Sequence, residues 1–314
     1  MTVASTQPLV FEPLFMERVW GGRRLKSLFG KKLPMGKKIG ESWEIVDRPE
    51  AQSVVRQGPW KGQTLHELWR DHRVEIFGER MPDVLRFPIF AKLLDAQEKL
   101  SLQVHPGADA VSALGGESKT EMWYAVMGGE IYAGLRRGVD RRQLEQALCD
   151  GKAADLVHRI ELKPGDAFFV PSGRLHAIGA GNLFVEIQEN SDTTFRLFDW
   201  NRCATDGTPR RLQIEEALQA IDFNDFEPDV IRSPDEELVR CPHFVVEKWD
   251  LREGRHASEG AAFALFVCLH GAVEVNGLPI VPGEFFLVPA SAAGSELRPA
   301  APGTSLLRIT LPIR

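Results

Sequence analysis

Residues 164–176 read PGDAFFVPSGRLH, and residues 282–294 repeat them in worn form as PGEFFLVPASAAG. Each copy opens with Pro-Gly and carries a proline six residues after that glycine: Gly165 with Pro171, then Gly283 with Pro289. A second pair lies upstream, GGEIYAG at 128–134 against GAVEVNG at 271–277, with an extra helical stretch between the two pieces only in the first copy. Strand-and-turn units recurring at this scale indicate two related β-barrels. The copies differ where it matters chemically. Gly294 stands where the first copy has His176, and Ala264 where it has Glu121.

The rest of the chain fits a mainly β architecture. FPIFAKLLDA, LSLQVHP, EMWYAVMG, EIYAGL, DAFFVP, LFVEIQE and TTFRLFDW are short aliphatic and aromatic runs bounded by Gly, Pro, Asn or Asp, the pattern of many short strands in a sandwich or barrel. Three helices are expected. TLHELWRDH opens with a capping box from Thr64 to Glu67, and DRRQLEQAL has Asp140 as its cap. TPRRLQIEEALQAI has Thr208 as N-cap and Pro209 at the first helical position.

Composition excludes several function classes. The chain has 314 residues, enough for one large or two medium domains with real cores, and a net charge of −6. That balance argues against a dedicated binder of nucleic acid or of an anionic membrane. MTVASTQPLVFEP lacks a basic segment followed by a long apolar one, and AAFALFVCL at 261–269 is too short to span a bilayer. Cys149, Cys203, Cys241 and Cys268 are scattered without metal or redox spacing. Together these features lead us to expect a cytoplasmic protein with reduced thiols.

KLSLQVHPGADA at 99–110 places Gln103 and His105 on one face of a strand, with Leu102 and Val104 on the other. Burying such polar groups without partners costs about 2–7 kcal/mol each. Gln103, His105, Glu121 and His176 all belong to the first copy. Two imidazoles, a carboxylate and an amide oxygen form a set that suits Zn²⁺, and less specifically Mn²⁺, Fe²⁺ or Co²⁺. In the second copy the strand face has no such ligands, and FALFVCLHGAVEV offers Phe263, Leu265 and Phe266 to fill it.

The spacing of Gly165, Pro171, Gly173 and His176 matches the second cupin motif. FAKLLDAQEKLSLQVHP, SKTEMW, VPSGRLHAIG and EIQENSDTTFRLFDWNR, with RVWGGRRL and IGESWEI nearer the N-terminus, closely resemble the type I phosphomannose isomerases in their shorter bacterial form. The resemblance implies two cupin-type jelly-roll barrels with a few short helices, the second barrel degenerate. Residues 1–235 would form the catalytic domain and residues 236–314 a C-terminal domain without a metal site. It also implies one Zn²⁺ per chain on Gln103, His105, Glu121 and His176, and an aldose–ketose isomerase acting on mannose 6-phosphate and fructose 6-phosphate. Lys92, Lys119, Asp192 and Arg196 fall on family active-site positions.

The chemistry of the residues agrees with this. Shifting a carbonyl between C1 and C2 needs a base and a positive centre for the enediolate oxyanion. A phosphate on an acidic protein needs local cations, which Lys119 and Arg196 supply. Asp192, Lys119 and a water on the metal all stand open as the base, with Glu186 and Gln188 as supports for the ligands. Two other classes compete. A cupin oxygenase would favour His-x-His and redox iron where this chain has Gln103, and a non-catalytic sugar-phosphate sensor would tolerate loss of Lys119, Asp192 or Arg196. The expected partner is a small sugar phosphate, with no nucleic acid and no membrane, and the chain itself a monomer or weak homo-oligomer.

Overall fold

In the computed structural model, which describes residues 7–203, 207–208, 210–258 and 262–312, the expected strands close into two antiparallel β-barrels. The first is built of two sheets. One runs in the order Ala167–Val170, Glu121–Met127, Leu183–Glu189, Ile89–Asp95, Ile39–Ile45, Leu14–Gly22. The other runs Val157–Glu161, Glu130–Leu135, His176–Ile178, Leu102–Val104, Phe195–Phe198. Neighbours in space are mostly not neighbours in sequence, as in a jelly roll.

Period-two alternation decides what each strand does. In the six-stranded sheet, Lys92, Leu94, Glu121, Trp123 and Glu186 point into the barrel and line its pocket. The residues between them, Leu93, Met122, Tyr124, Val185 and Ile187, point outward into a continuous apolar core. On the far side of that core lie Leu265, Val267, Leu287, Leu307 and Ile309 of the second barrel. The two barrels therefore pack back to back through their six-stranded sheets.

The second barrel pairs Leu9–Val10, Phe285–Val288, Ala264–His270, Ser305–Thr310, Val245–Asp250 and Glu237–Arg240 in one sheet, and Arg255–His256, Glu296–Pro299, Val273–Val275 and Leu278–Ile280 in the other. Its interior holds Ala264, Phe266, Cys268, Phe286 and Trp249. This corrects the expected filling. Phe266 lies inside, but Leu265 falls on the opposite face by alternation, and Phe263 packs against Phe77 and Phe87 in the core between the barrels.

Two helices form as their caps predict. Thr64 Oγ1 accepts from Glu67 N while Thr64 N donates to Glu67 Oε2, at 3.1 and 2.8 Å, opening Leu65–Asp71. Asp140 and Gln143 make the same reciprocal pair at the start of Arg141–Cys149. The third helix covers only Ile214–Ala220. Thr208 precedes it in irregular chain, and Pro209 lies outside the described residues. The cause is tertiary. Gln213 N donates to Arg196 O, and Arg211 O accepts from Arg196 Nη1, so this stretch is bound to the neighbouring strand and cannot coil. Arg141–Cys149 and Ile214–Ala220 then cover the outer face of the five-stranded sheet. No helix among the described residues is long and apolar enough to cross a membrane.

Candidate metal centre and active site

Three strands and a strand end bring the polar set together inside the first barrel. Register places His176 opposite Gln103, and Glu121 opposite both Val170 and Gln188. His105 lies one residue past Leu102–Val104, where Pro106 ends the ladder for want of an N–H. His105, Glu121 and His176 are each about 1% exposed, and their candidate ligand atoms all lie within 4.8 Å of one another. Glu121 Oε2 stands 3.4 Å from His105 Nε2, and Glu121 Oε1 stands 3.6 Å from His176 Nε2.

The imidazoles are oriented from behind. His105 Nδ1 is 2.9 Å from Thr193 O, and His176 Nδ1 is 2.9 Å from Arg174 O. A carbonyl can only accept, so Nδ1 carries the proton in each ring and the Nε2 lone pairs face Glu121. Burial pushes both imidazoles down, with Lys119 adding to this at His105, and neighbouring His105 helping to take His176 to about 3. Both rings are therefore neutral at pH 7, the form that binds metal. Burial alone would raise Glu121. Lys119 and His105 outweigh it and hold this carboxyl well below the usual range.

The donor set fits a metal ion. Two neutral nitrogens and an ionised carboxylate converge within 4.8 Å of one another, and buried His105 Nε2 has no hydrogen-bond partner. Gln103 completes the group on one condition. Its nitrogen lies 3.3 Å from His176 Nε2 and its oxygen accepts from Ser101 Oγ at 3.0 Å. A half-turn of this nearly isosteric amide presents the oxygen instead.

Cations ring the centre. Lys119 Nζ is 2.8 Å from Glu121 Oε2 and 3.9 Å from Glu186 Oε1. Burial works against its charge, but Glu121, Glu186 and Asp192 raise its pKa above the ordinary value. Lys92 Nζ lies 3.3 Å from Glu186, 3.5 Å from Asp192 and 4.0 Å from Glu41. Burial, aided by Glu121, raises Glu186, and Trp123 Nε1 donates to it at 3.1 Å. Arg196 Nε donates to Ser101 Oγ at 3.2 Å, and no carboxylate among the described residues pairs with it. Burial lowers its pKa, and Arg210 adds to that.

All eight residues expected from the sequence stand in or around one pocket. Several pocket residues escaped sequence reasoning: Arg18, Trp20, Glu41, Arg210 and Gln213. Arg18 grips Glu41 with two hydrogen bonds, at 2.8 and 3.1 Å, and Trp43 Nε1 donates to the same carboxylate. Against the cost of burial, Lys92 and Arg18 lower Glu41 to about 2. The segments RVWGG and IGESWEI held the signal, an Arg and a Glu on strands otherwise rich in apolar residues. Arg210 carried none, because it comes from irregular chain.

Comparison with known proteins agrees with this geometry. A profile of the phosphomannose isomerase type I catalytic domain matches residues 9–127. Mannose-6-phosphate isomerase ManA of Bacillus subtilis is 36% identical over 301 residues, spanning 91% of this chain and 94% of its own length. The crystal structure of the mannose 6-phosphate isomerase from Bacillus subtilis superposes with a TM-score of 0.86 at 32% identity, over 97% of this chain and 99% of that one. A zinc-bound mannose 6-phosphate isomerase structure shares the fold, with a TM-score of 0.77 at 16% identity, over 97% of this chain and 99% of that one. With identity this high over nine-tenths of both chains, the chain belongs to the type I phosphomannose isomerase family.

Proposed function

We propose that this chain interconverts mannose 6-phosphate and fructose 6-phosphate through an enediolate, with one Zn²⁺ held by Gln103, His105, Glu121 and His176. The observation that carries the reading is the convergence of two neutral imidazoles and one carboxylate in a barrel mouth ringed by Lys92, Lys119 and Arg196. Bound there, the ion supplies a fixed positive charge for the substrate's two reacting oxygens without changing redox state.

The chain's own residues do the rest. The pocket is reached from solvent beside Asp192, whose side chain is 41% exposed against 4% for Lys92. Asp192 is the carboxylate we assign to take the proton from C2 and return it to C1, with Lys92 at 3.5 Å favouring its ionised form before the first transfer and after the second. Lys119 steadies the oxyanion from the side of Glu121. Arg196, which no carboxylate among the described residues pairs with, is the group we assign to the enediolate or the phosphate. The overall charge of −6 fits a small anionic substrate steered by local cations better than a polyanionic partner.

Catalysis is assigned to residues 1–235. Residues 236–314 form the greater part of the second barrel, and among its described residues no group of His, Cys and carboxylates comes together as in the first. The direct test is a coupled assay of the purified protein on mannose 6-phosphate, with and without chelator. Turnover that chelation abolishes and Zn²⁺ restores is expected. No turnover on that substrate with full metal loading would overturn the assignment.

A further inference from the structure

We propose that the second barrel reaches into the active site through His243, which acts as a positioning residue for Lys119 by way of Glu189. The inference rests on the isomerase reading for its kinetic consequence, though not for its structural one.

Glu189 ends the strand Leu183–Glu189, and its carboxylate touches both sides of Lys119. Oε1 accepts from Ser118 Oγ at 2.9 Å, and Oε2 accepts from the Thr120 backbone N–H at 2.8 Å. Glu189 N donates to Thr120 O at 3.0 Å, closing the clamp from the backbone side. Lys119, 3% exposed, is held between these points with its Nζ on Glu121. A shift of the 118–120 backbone therefore moves this cation relative to the ligand cluster.

The third partner of Glu189 comes from the other barrel. His243 Nδ1 lies 3.2 Å from Glu189 Oε1. His243 is set in the tight turn between Glu237–Arg240 and Val245–Asp250, where Cys241 N donates to Phe244 O. The turn is pinned by Phe244, which is fully buried in the core between the barrels. The imidazole thus projects from an anchored backbone, its side chain 39% exposed. A carboxylate already engaged by a hydroxyl and an amide has this imidazole as a third polar neighbour, which limits its rotation about the last side-chain bond.

The test combines kinetics with amide exchange. His243→Ala should lower kcat about tenfold, less than the ~10²-fold that a full 1 Å misplacement costs, with KM within about twofold of wild type. Hydrogen–deuterium exchange at the Thr120 amide, read on metal-free protein, should quicken by about tenfold as its acceptor loosens. His243→Asn places an amide N–H close to where Nδ1 stands and should restore both. On a Glu189→Gln background, His243→Ala should add nothing further. Wild-type kcat and wild-type Thr120 exchange in His243→Ala would overturn the proposal. So would equal losses in the Ala and Asn variants alongside a lowered Tm, which would mark the contact as structural only. If the wild-type protein does not isomerise mannose 6-phosphate, the assigned reaction fails, and the exchange measurement still decides the clamp.

Discussion

The two barrels keep one register and reverse its content. In the first, Glu186 pairs with Lys92 on one side and Trp123 on the other, and Glu121 sits opposite Val170. In the second, Arg308 pairs with Glu247 and Phe266, and Ala264 sits opposite Val288. An ion pair survives with its signs exchanged, buried in the first barrel and partly buried in the second: Lys92 and Glu186 become Glu247 and Arg308. Arg308 Nη1 donates to Glu247 Oε2 and its Nε donates to Ala257 O, so the pair is locally satisfied. In the first barrel Lys92 is shared among Glu41, Glu186 and Asp192. Such an inward-facing pair is tolerated in either polarity once its hydrogen bonds are met. Reactivity instead follows from surplus: donors that converge with no partner but a ligand. The second barrel removes the surplus by putting Phe266 against Phe286, rings 5.1 Å apart and stacked.

The contrast breaks most sharply at His176. His176→Ala should abolish turnover and lower bound Zn²⁺ from about one equivalent toward none by elemental analysis, making the first barrel like the second. A metal-free variant with full activity would refute the site. Next is Phe266→Ala, which should cost about 3–5 kcal/mol of stability as a cavity in a closed core. Denaturant melts read that loss, while the folded fraction keeps its KM, and a large KM change would show that the second barrel's interior touches substrate. Arg196→Ala should lower kcat/KM by about 10²-fold with metal retained, and near-normal kinetics would remove it from the mechanism.

The smallest effect is on pH. In the folded protein His176 titrates near 3, below the ordinary imidazole value of 6.5. Between those values the unfolded chain binds a proton that the folded chain refuses, so stability is complete above pH 6.5 and declines as pH falls. Metal-free protein should show Tm falling between pH 6.5 and 5, with a shallower slope in His176→Asn. An unchanged slope would place the acid sensitivity elsewhere.

Much of this was legible because it depends on short-range rules. The repeated Pro-Gly turns marked where strands start, and period-two alternation put Gln103 and His105 on one face. Capping residues at Thr64 and Asp140 marked where two helices start. What was not legible depended on distant partners. Thr208 and Pro209 signal a helix start as clearly as Thr64 does, yet contacts between Arg196 and the 211–213 backbone override them. Leu265 and Phe266 are equally apolar, and only strand register tells interface from interior. Arg18 and Glu41 are an ordinary pair of charges until the barrel closes and buries them beside Lys92.

The short strand Leu9–Val10 has a bearing on how the molecule is made. It pairs with Phe285–Val288 at the edge of the second barrel's sheet, so residues synthesised near the beginning complete a structure whose other strands emerge last. Until then the edge of Phe285–Val288 and the apolar backs of both six-stranded sheets have no cover, and exposed edges of this kind invite pairing with other chains. Contacts between opposite ends of a chain also slow folding. The second barrel is therefore not a module that can be cut away at residue 236: separated, it loses a strand and leaves its apolar face to solvent.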